Sequence, residues 1–225
     1  EYIDSYFLEK YLNYMNDRVL VLSPHTDDGE LGCGGTISKF VEMGKEVKLV
    51  AFSTAEKSLP DGFESDSTKK EMFRACNILG LKDENITVLD FEVRIFSKFR
   101  QEILDSLIKI RNDFNPHIVM IPSQKDTHQD HEVVTREALR AFKKTSFSIY
   151  GYEQPWNCFT FDTVGFVPLD EKHIQTKIEA IQQYKSQSIK EYMMPDFIKG
   201  LARTRAINIG QKYAEAFEVI RQVIL

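Results

Sequence analysis

The stretch from Arg18 to Gly35 constrains the fold of this 225-residue chain more than any other. It opens with an uninterrupted apolar run, Val19-Leu20-Val21-Leu22, which is typical of a strand buried on both faces of a parallel sheet. His25, Asp27 and Asp28 follow directly, ahead of a predicted glycine-rich turn. Crowding an imidazole and two carboxylates at a strand end is costly unless a cation, such as a divalent metal ion, compensates the charge. The stretch therefore predicts a buried strand with a functional site at its carboxyl end.

Further apolar segments extend this pattern into an alternation of strands and helices. Predicted strands cover Glu46–Phe52, Ile86–Phe91, His117–Ile121, Ser148–Glu153 and Thr163–Val167. Predicted helices cover Thr36–Met43, Lys69–Leu79, Phe99–Phe114, a segment from the loop after the fourth strand to about Lys144, and Glu171–Tyr184. Because helices that connect successive strands produce parallel pairing, we expect an α/β fold with a mostly parallel sheet.

Both ends of the chain are predicted to be helical. An apolar stripe at helical spacing makes residues 1–17 a packing helix that leads into the first strand. Residues 170–225 are predicted as a helical C-terminal part that Gly200 and Gly210 interrupt. A long polar loop from Ser53 to Thr68 is expected on the same face as His25, where it shapes a substrate entrance. No repeat or linker divides the chain, so residues 1–225 are predicted to form a single domain.

Composition excludes several classes of partner. The net charge is −5, with acidic and basic residues interleaved, so no nucleic-acid surface is expected. No apolar window is long enough to span a membrane, and the charged start does not resemble a signal peptide, so we expect a soluble, cytoplasmic protein. Three widely spaced cysteines argue against disulfides or a cysteine zinc site. A small-molecule substrate fits best, and a homo-oligomer is left open.

A second polar cluster follows the fourth predicted strand, where the segment 123–131 contains His128, Asp130 and His131. Taken alone, each of the two clusters could equally well be a functional site or the cap of a helix N-terminus. Together they place three of the five histidines at two strand ends, which favours a joint metal site. Imidazole and carboxylate ligands without thiolate suit zinc with an open position, and also iron or cobalt. Spacing alone leaves open which of His128 and His131 binds the metal.

The run Ser23–Gly35, together with the later His128-Gln129-Asp130-His131, closely resembles the motifs of the LmbE-like family. This family, also called the PIG-L family, consists of zinc-dependent sugar de-N-acetylases. The resemblance extends to Arg205, Gly210 and Tyr213–Phe217, so it covers essentially the chain after residue 18. It implies a Rossmann-like three-layer α/β fold with a mostly parallel central sheet.

The resemblance also implies a role for each residue of the two clusters. Three residues are implied as ligands of one zinc ion per chain: His25, Asp28 and His131. Asp27 would be the general base that takes a proton from the attacking water and returns it to the amine leaving group. A protonated His128 would stabilise the oxyanion, and Asp130 would orient a histidine and keep it charged.

The implied reaction is the hydrolysis of the acetamide of an N-acetylated amino sugar, which is free or part of a glycoconjugate or sugar nucleotide. Glu153 is expected to bind sugar hydroxyls, and Trp156 either stacks on a sugar ring or fills the core beneath its loop. Arg205 is expected to bind a substrate phosphate, with a place on a solvated helix face or a pair with a carboxylate as the alternatives.

The sequence departs from the family pattern at two places that bear on the site. Thr26 stands where proline is usual, which removes no functional atom. Around Thr68 the family often has an arginine that contacts substrate, and here Lys69 or Lys70 is expected to substitute for it. We therefore do not infer the substrate of this chain from the thiol-cofactor deacetylases of the family.

Two alternative functions remain. The first is an amidase that acts on another sugar-linked amide of the thiol-conjugate type. The second is a nucleotide-binding oxidoreductase, which Gly32-Cys33-Gly34-Gly35 after a strand suggests. The glycine spacing does not match GxGxxG, and Asp27 and Asp28 would repel a pyrophosphate, so the hydrolase is preferred.

Overall fold

The computed structural model describes residues 18–224. The helix predicted within residues 1–17 lies outside this range. One seven-stranded sheet runs through the described chain. Its strands are β1 (Arg18–Ser23), β2 (Glu46–Ala51), β3 (Ile86–Val88), β4 (Ile118–Pro122), β5 (Ser148–Tyr152), β6 (Gly165–Leu169) and β7 (Tyr213–Arg221). The helices are α1 (Asp28–Glu42), α2 (Ser67–Ile78), α3 (Arg100–Phe114), α4 (Gln129–Ala141), α5 (Glu171–Ile181) and α6 (Pro195–Ala206).

The strand order is β3-β2-β1-β4-β5-β7-β6. Strands β1 to β5 pair in parallel, and β7 pairs antiparallel with both β5 and β6. The chain leaves β1 toward β2 on one side and later returns to β4 on the other. In open α/β sheets, ligands bind in the crevice outside the carboxyl ends of strands at such a switch point. The topology therefore confirms the predicted α/β fold and singles out the crevice between β1 and β4.

Helices cover both faces of the sheet, so the fold has three layers. Val19 and Val21 of β1 belong to a core shared with α1, α2 and the end of α5. Leu20 and Leu22 of the same strand belong to the opposite core, shared with α3 and α4. Because successive side chains of a strand point to opposite faces, the apolar run predicted from the sequence is buried on both sides.

The segment predicted as a glycine-rich turn is instead part of helix α1. The helix is broken only at Cys33, whose backbone is non-helical (φ −146°, ψ 28°). Lys177 Nζ donates to the carbonyl of Leu31 before the break (2.7 Å), and Glu215 accepts from the amides of Gly35 and Thr36 after it (3.0 and 2.6 Å). A buried ion pair between Lys177 and Glu215 (2.6 Å) thus satisfies backbone groups on both sides of the break.

The C-terminal helical part predicted for residues 170–225 is wrong in its last section, because β7 is a strand that completes the sheet. Alanine and glutamate favour helix in isolation, but tertiary contacts override that preference here. Glu215 accepts hydrogen bonds from the backbone amides that follow the break in α1. Glu218 accepts hydrogen bonds from Ser123 Oγ and from the backbone and side chain of Gln124. Other predicted elements differ at their ends: the third strand stops at Val88, for example.

No helix within residues 18–224 is long and apolar enough to cross a membrane. Cys33 and Cys76 are buried and Cys158 is half-buried, and all three are free thiols in the structure.

Candidate metal centre and active site

The loops after β1 and β4 bring three ligand atoms together at the switch point. Asp28 Oδ2 lies 3.1 Å from His25 Nδ1 and 3.2 Å from His131 Nε2, and the two imidazole nitrogens are 3.3 Å apart. A tetrahedral zinc ion with bonds of about 2.0 Å separates its ligand atoms by roughly 3.3 Å. The triangle therefore has the dimensions and the donor chemistry that suit a divalent cation.

Each corner of this triangle is held by a further polar group. Asp126 Oδ2 accepts from His131 Nδ1 (2.7 Å), and Asp130 Oδ2 accepts from His25 Nε2 (3.1 Å). The remaining oxygen of Asp28 accepts from Gln154 Nε2 (2.8 Å). Carboxylates on the distal nitrogens of metal-binding histidines fix the ring orientation and raise the basicity of the ligand. The arrangement therefore suits a candidate metal site.

Local backbone contacts hold the first loop in place. The Ser23 hydroxyl donates to the carbonyl of His25 (2.5 Å) and accepts from the amide of Gly29 (2.8 Å). The amide of His25 donates to Asp28 Oδ2 (2.7 Å). The end of β1, the loop and the start of α1 are thereby linked, so the order of residues in this motif dictates the position of the ligands.

His128 lies beside the triangle. One ligand atom from each of His25, His128 and His131 falls within 4.8 Å of the others, so His128 also belongs to the group that can hold a metal ion. Its Nδ1 accepts from the backbone amide of Asp130 (3.2 Å) at the start of α4, which leaves a hydrogen for Nε2. Burial and the charges of His131 and His25 lower the pKa of His128 to about 4.

One expectation about the acid and base groups therefore changes. His128 was expected to be protonated, but its lowered pKa and its bond to the Asp130 amide favour the neutral ring with a hydrogen on Nε2. The histidine that the Asp130 carboxylate contacts is His25, and this carboxylate also accepts from the amides of Arg94 and Phe96. It therefore orients a candidate metal ligand.

The two adjacent aspartates have opposite protonation behaviour. Burial raises the pKa of Asp27, and the negative charge of Asp28 raises it further, while Lys190 acts in the other direction. Burial also disfavours the Asp28 carboxylate, but His131 and His25 outweigh it and hold the pKa well below its usual range. Burial lowers the pKa of His131, yet Asp28 and Asp126 raise it to about 10. Asp28 thus stays ionised, whereas Asp27 has the raised pKa that suits a general base.

A pocket of about 250 Å³ opens beside these groups. Its wall includes the candidate ligands with Asp27 and His128, and also Arg94, Trp156, Lys190 and Tyr192. Trp156 is half-buried and stacks on Tyr192 with ring centres 3.9 Å apart, so it is neither a core residue nor free on both faces. The loop before α2 contributes Ala55 and Ser58, and Thr68 in the first turn of α2 also lines the pocket, in agreement with the predicted place of the segment 53–68 at the entrance.

The structure does not bring the predicted substrate-binding residues to this pocket as free groups. Glu153 is buried and forms a two-pronged ion pair with Arg205, with Arg205 Nε 2.9 Å from Glu153 Oε2. Both residues line a smaller neighbouring cavity behind Trp156. Lys69 and Lys70 are exposed outside the pocket, and Lys70 pairs with Glu64 and Asp66.

Sequence reasoning missed Asp126, Gln154, Arg94 and Lys190. Asp126 had a signal, because it lies in the same loop as His128 and two positions before it. The other three come from loops after different strands and helices, and nothing in their local sequence connects them with the histidines.

Comparison with known proteins points to one family. Residues 20–142 match the family model described as PIG-L, GlcNAc-PI de-N-acetylase. The uncharacterised deacetylase YaiS of Escherichia coli K12 is 28% identical over 171 residues, which cover 75% of this chain and 90% of that protein. Diacetylchitobiose deacetylase of Thermococcus kodakarensis is 24% identical over an alignment of 233 residues, covering 92% of this chain and 85% of that protein.

A solved structure extends the similarity to nearly the whole fold. The N,N'-diacetylchitobiose deacetylase of Pyrococcus horikoshii superposes with a TM-score of 0.76 at 20% identity, covering 98% of this chain and 93% of that chain. The family model matches more than half of this chain and includes every candidate ligand. The chain therefore belongs to the PIG-L, or LmbE-like, family.

Proposed function

We propose that this protein is a metal-dependent deacetylase that hydrolyses the acetamide of an N-acetylated amino sugar and releases acetate and the free amine. The observation that carries the proposal is the ligand triangle of His25, Asp28 and His131 with the carboxylate of Asp27 beside it in one pocket. Zinc is the native ion in this proposal, one per chain, with iron or cobalt as substitutes. A cytoplasmic location and homo-oligomerisation stay predictions from the sequence.

When bound, a divalent cation supplies Lewis acidity, which lowers the pKa of water and polarises a carbonyl oxygen. Asp27 takes the proton of the attacking water, since its raised pKa makes it a stronger base than an ordinary aspartate. The same carboxyl group then returns the proton to the nitrogen of the departing amine. Asp28 stays ionised throughout and holds its place through Gln154.

His128 faces the same pocket and donates from Nε2 to the oxygen on which negative charge develops. A neutral imidazole can make this hydrogen bond, so the role does not require a protonated ring. The Asp130 amide fixes the tautomer by donating to the other ring nitrogen, and the Asp130 carboxylate steadies His25.

Of the two alternatives, the oxidoreductase loses its basis. Its glycine segment is buried inside α1, where a side chain at Gly32 would meet the ring of Tyr152, so the glycines serve close packing rather than a phosphate. An amidase that acts on another sugar-linked amide uses the same site chemistry, and it is distinguished by its substrate.

The experiment compares the zinc-loaded wild type with Asp27→Asn. Released acetate and free amine are measured on N-acetyl sugars that are free, glycoside-linked or nucleotide-linked. We expect turnover of the variant to fall by about 10²- to 10⁴-fold, the usual contribution of a general base, while zinc content stays at one ion per chain. Asp83→Asn, an exposed aspartate before β3 and outside the pocket, serves as the matched control. Asp27→Asn with most of its activity, or a wild type active without metal, would overturn the mechanism.

A further inference from the structure

Arg94 has an unusual backbone in the loop between β3 and α3. Its φ of 72° is in the left-handed region, which a residue with a side chain adopts at a cost of about 1 to 2 kcal/mol. The residue also lines the catalytic pocket together with Asp27 and the candidate ligands. Strain of this kind is retained where the surrounding contacts impose it, and it marks positions that merit a functional explanation.

The contacts that impose this backbone belong to the candidate metal site. Asp130 Oδ2 accepts from the Arg94 amide (2.6 Å) and also from His25 Nε2 (3.1 Å). Gln129 Nε2 donates to the Arg94 carbonyl (2.8 Å). One carboxylate oxygen thus ties the position of Arg94 to that of a candidate ligand. The base of the Arg94 side chain is held at a defined place relative to the reacting groups.

The charge of Arg94 is uncommitted. Within residues 18–224, no carboxylate forms an ion pair with its guanidinium, and the side chain is exposed at the pocket. The other cations near the site are engaged: Arg205 pairs with Glu153, and Lys190 acts on Asp27 and lies 5.5 Å from the centre of the Tyr192 ring. An arginine whose backbone is held and whose guanidinium has no ion-pair partner among the described residues, on the wall of a catalytic pocket, is suited to an anion that arrives with the substrate.

We propose that Arg94 determines specificity by binding an oxyanion group carried by the substrate, so that the preferred substrate is an anionic N-acetyl sugar. This inference rests on the proposed function. The guanidinium offers a planar fork of donors that matches the two oxygens of a carboxylate or of a phosphate monoester. Lys69 and Lys70, expected from the sequence to contact substrate, do not line the pocket, so they do not compete with Arg94 for such an anion.

The kinetic test uses three substrates that share the acetamide: N-acetylglucosamine, its 6-phosphate, and N-acetylmuramic acid, which carries a carboxylate. Hydrogen bonds to charged groups contribute about 1.5 to 3 kcal/mol, or about 10- to 150-fold in binding. We therefore expect Arg94→Gln to raise KM for the preferred anionic sugar about 10- to 150-fold, with kcat and the neutral substrate changed less than about threefold. The phosphate and carboxylate arms identify which oxyanion is preferred.

Further variants separate a specific role from a structural one. Arg94→Lys keeps the charge without the fork and should restore part of the lost affinity. Arg94→Gly relieves the positive φ, so it should unfold no more readily than wild type while losing the preference for anionic sugars. Arg74→Gln in α2, an exposed arginine outside the pocket, is the matched control and should leave all three KM values unchanged.

A binding arm distinguishes failure of this inference from failure of the proposed function. Calorimetry with the zinc-loaded Asp27→Asn protein compares the same three sugars with and without Arg94→Gln. Anionic sugars that bind through Arg94 without any hydrolysis by the wild type would support the inference and overturn the proposed function. Hydrolysis that Arg94→Gln weakens equally for neutral and anionic sugars, or does not weaken at all, would overturn the inference and leave the function standing.

Discussion

Glu30 is a buried carboxyl group whose surroundings favour the protonated form, and this yields the sharpest prediction about stability. Its side chain has no solvent exposure, and Oε1 lies 2.6 Å from the Tyr184 hydroxyl. The same hydroxyl is 2.5 Å from the carbonyl of Thr26. A tyrosine has one hydroxyl hydrogen, so it cannot donate to both acceptors. If Tyr184 donates to Thr26, the proton between Tyr184 and Glu30 belongs to the carboxyl group.

The magnitude follows from the pKa. Burial raises the pKa of Glu30 from 4.5 to about 8. A shift of this size corresponds to roughly 5 kcal/mol between the two protonation states. Because the folded pKa is above the unfolded one, ionisation of Glu30 favours the unfolded chain. The penalty is absent below about pH 4.5, grows as pH rises, and is complete above about pH 8.

Glu30→Gln tests this directly, because the amide can donate to Tyr184 as the protonated acid does. We expect the variant and the wild type to have similar unfolding free energies near pH 4.5, and the variant to be more stable by several kcal/mol, at most about 5, near pH 9. Urea unfolding followed by circular dichroism measures the free energy of unfolding of both proteins at both pH values. Other titrating groups contribute equally to the two proteins, so their effect cancels in the difference between variant and wild type.

Glu71→Gln is the matched control. Glu71 is also buried, but it accepts from both the amide and the hydroxyl of Ser186 (3.0 and 2.5 Å). The NH2 group of a glutamine there would face a Ser186 group that also donates, and two donors cannot form a hydrogen bond. We therefore expect the free energy of unfolding to fall by about 1 to 3 kcal/mol. A Glu30→Gln protein that is less stable than wild type at pH 9, or whose advantage does not depend on pH, would refute the assignment of the proton.

Two further predictions concern the metal site and the helix that carries Asp28. Asp126→Asn should weaken zinc binding about 10- to 100-fold in competition with a chelator, because His131 loses its orienting carboxylate; unchanged affinity would contradict this role. Gly32→Ala places a methyl group 2.2 Å from the Tyr152 ring and should cost about 1 to 3 kcal/mol of stability. Gly200→Ala in α6, where no atom lies within 4 Å, should be neutral or stabilising in the same thermal unfolding assay, and equal midpoints for the two variants would argue against tight packing at Gly32.

The parallel sheet and its candidate ligands could be predicted because the signals are local. The apolar run before His25 indicates a strand buried on both faces, and polar residues at the ends of two parallel strands meet at one edge of a sheet. The helical character of 28–35 was missed because glycines disfavour helix in isolation. Their presence there is explained by close contacts, such as that between Gly32 and Tyr152.

The rest depends on pairs of residues that are distant in sequence. Glu153 and Arg205 each looked like a substrate-binding group, and only the fold shows that they neutralise each other. Gln154 positions Asp28 from across the sheet. Arg94 carries no motif at all, and its backbone conformation is imposed by Asp130. Spacing in a single sequence does not report such contacts.

The antiparallel strand β7 has a consequence for the order in which the molecule is assembled. Through Glu218 it holds Ser123 and Gln124, which begin the loop that carries Asp126, His128 and His131. These partners are more than 90 residues apart, so the contact forms only after β7 has been synthesised. The same loop is also held by partners closer in sequence, because the amide of Ser123 donates to the carbonyl of Tyr152 and Thr127 donates to the carbonyl of Asn157. In a nascent chain we therefore expect this loop to be held in two stages, first by β5 and the segment after it and later by β7.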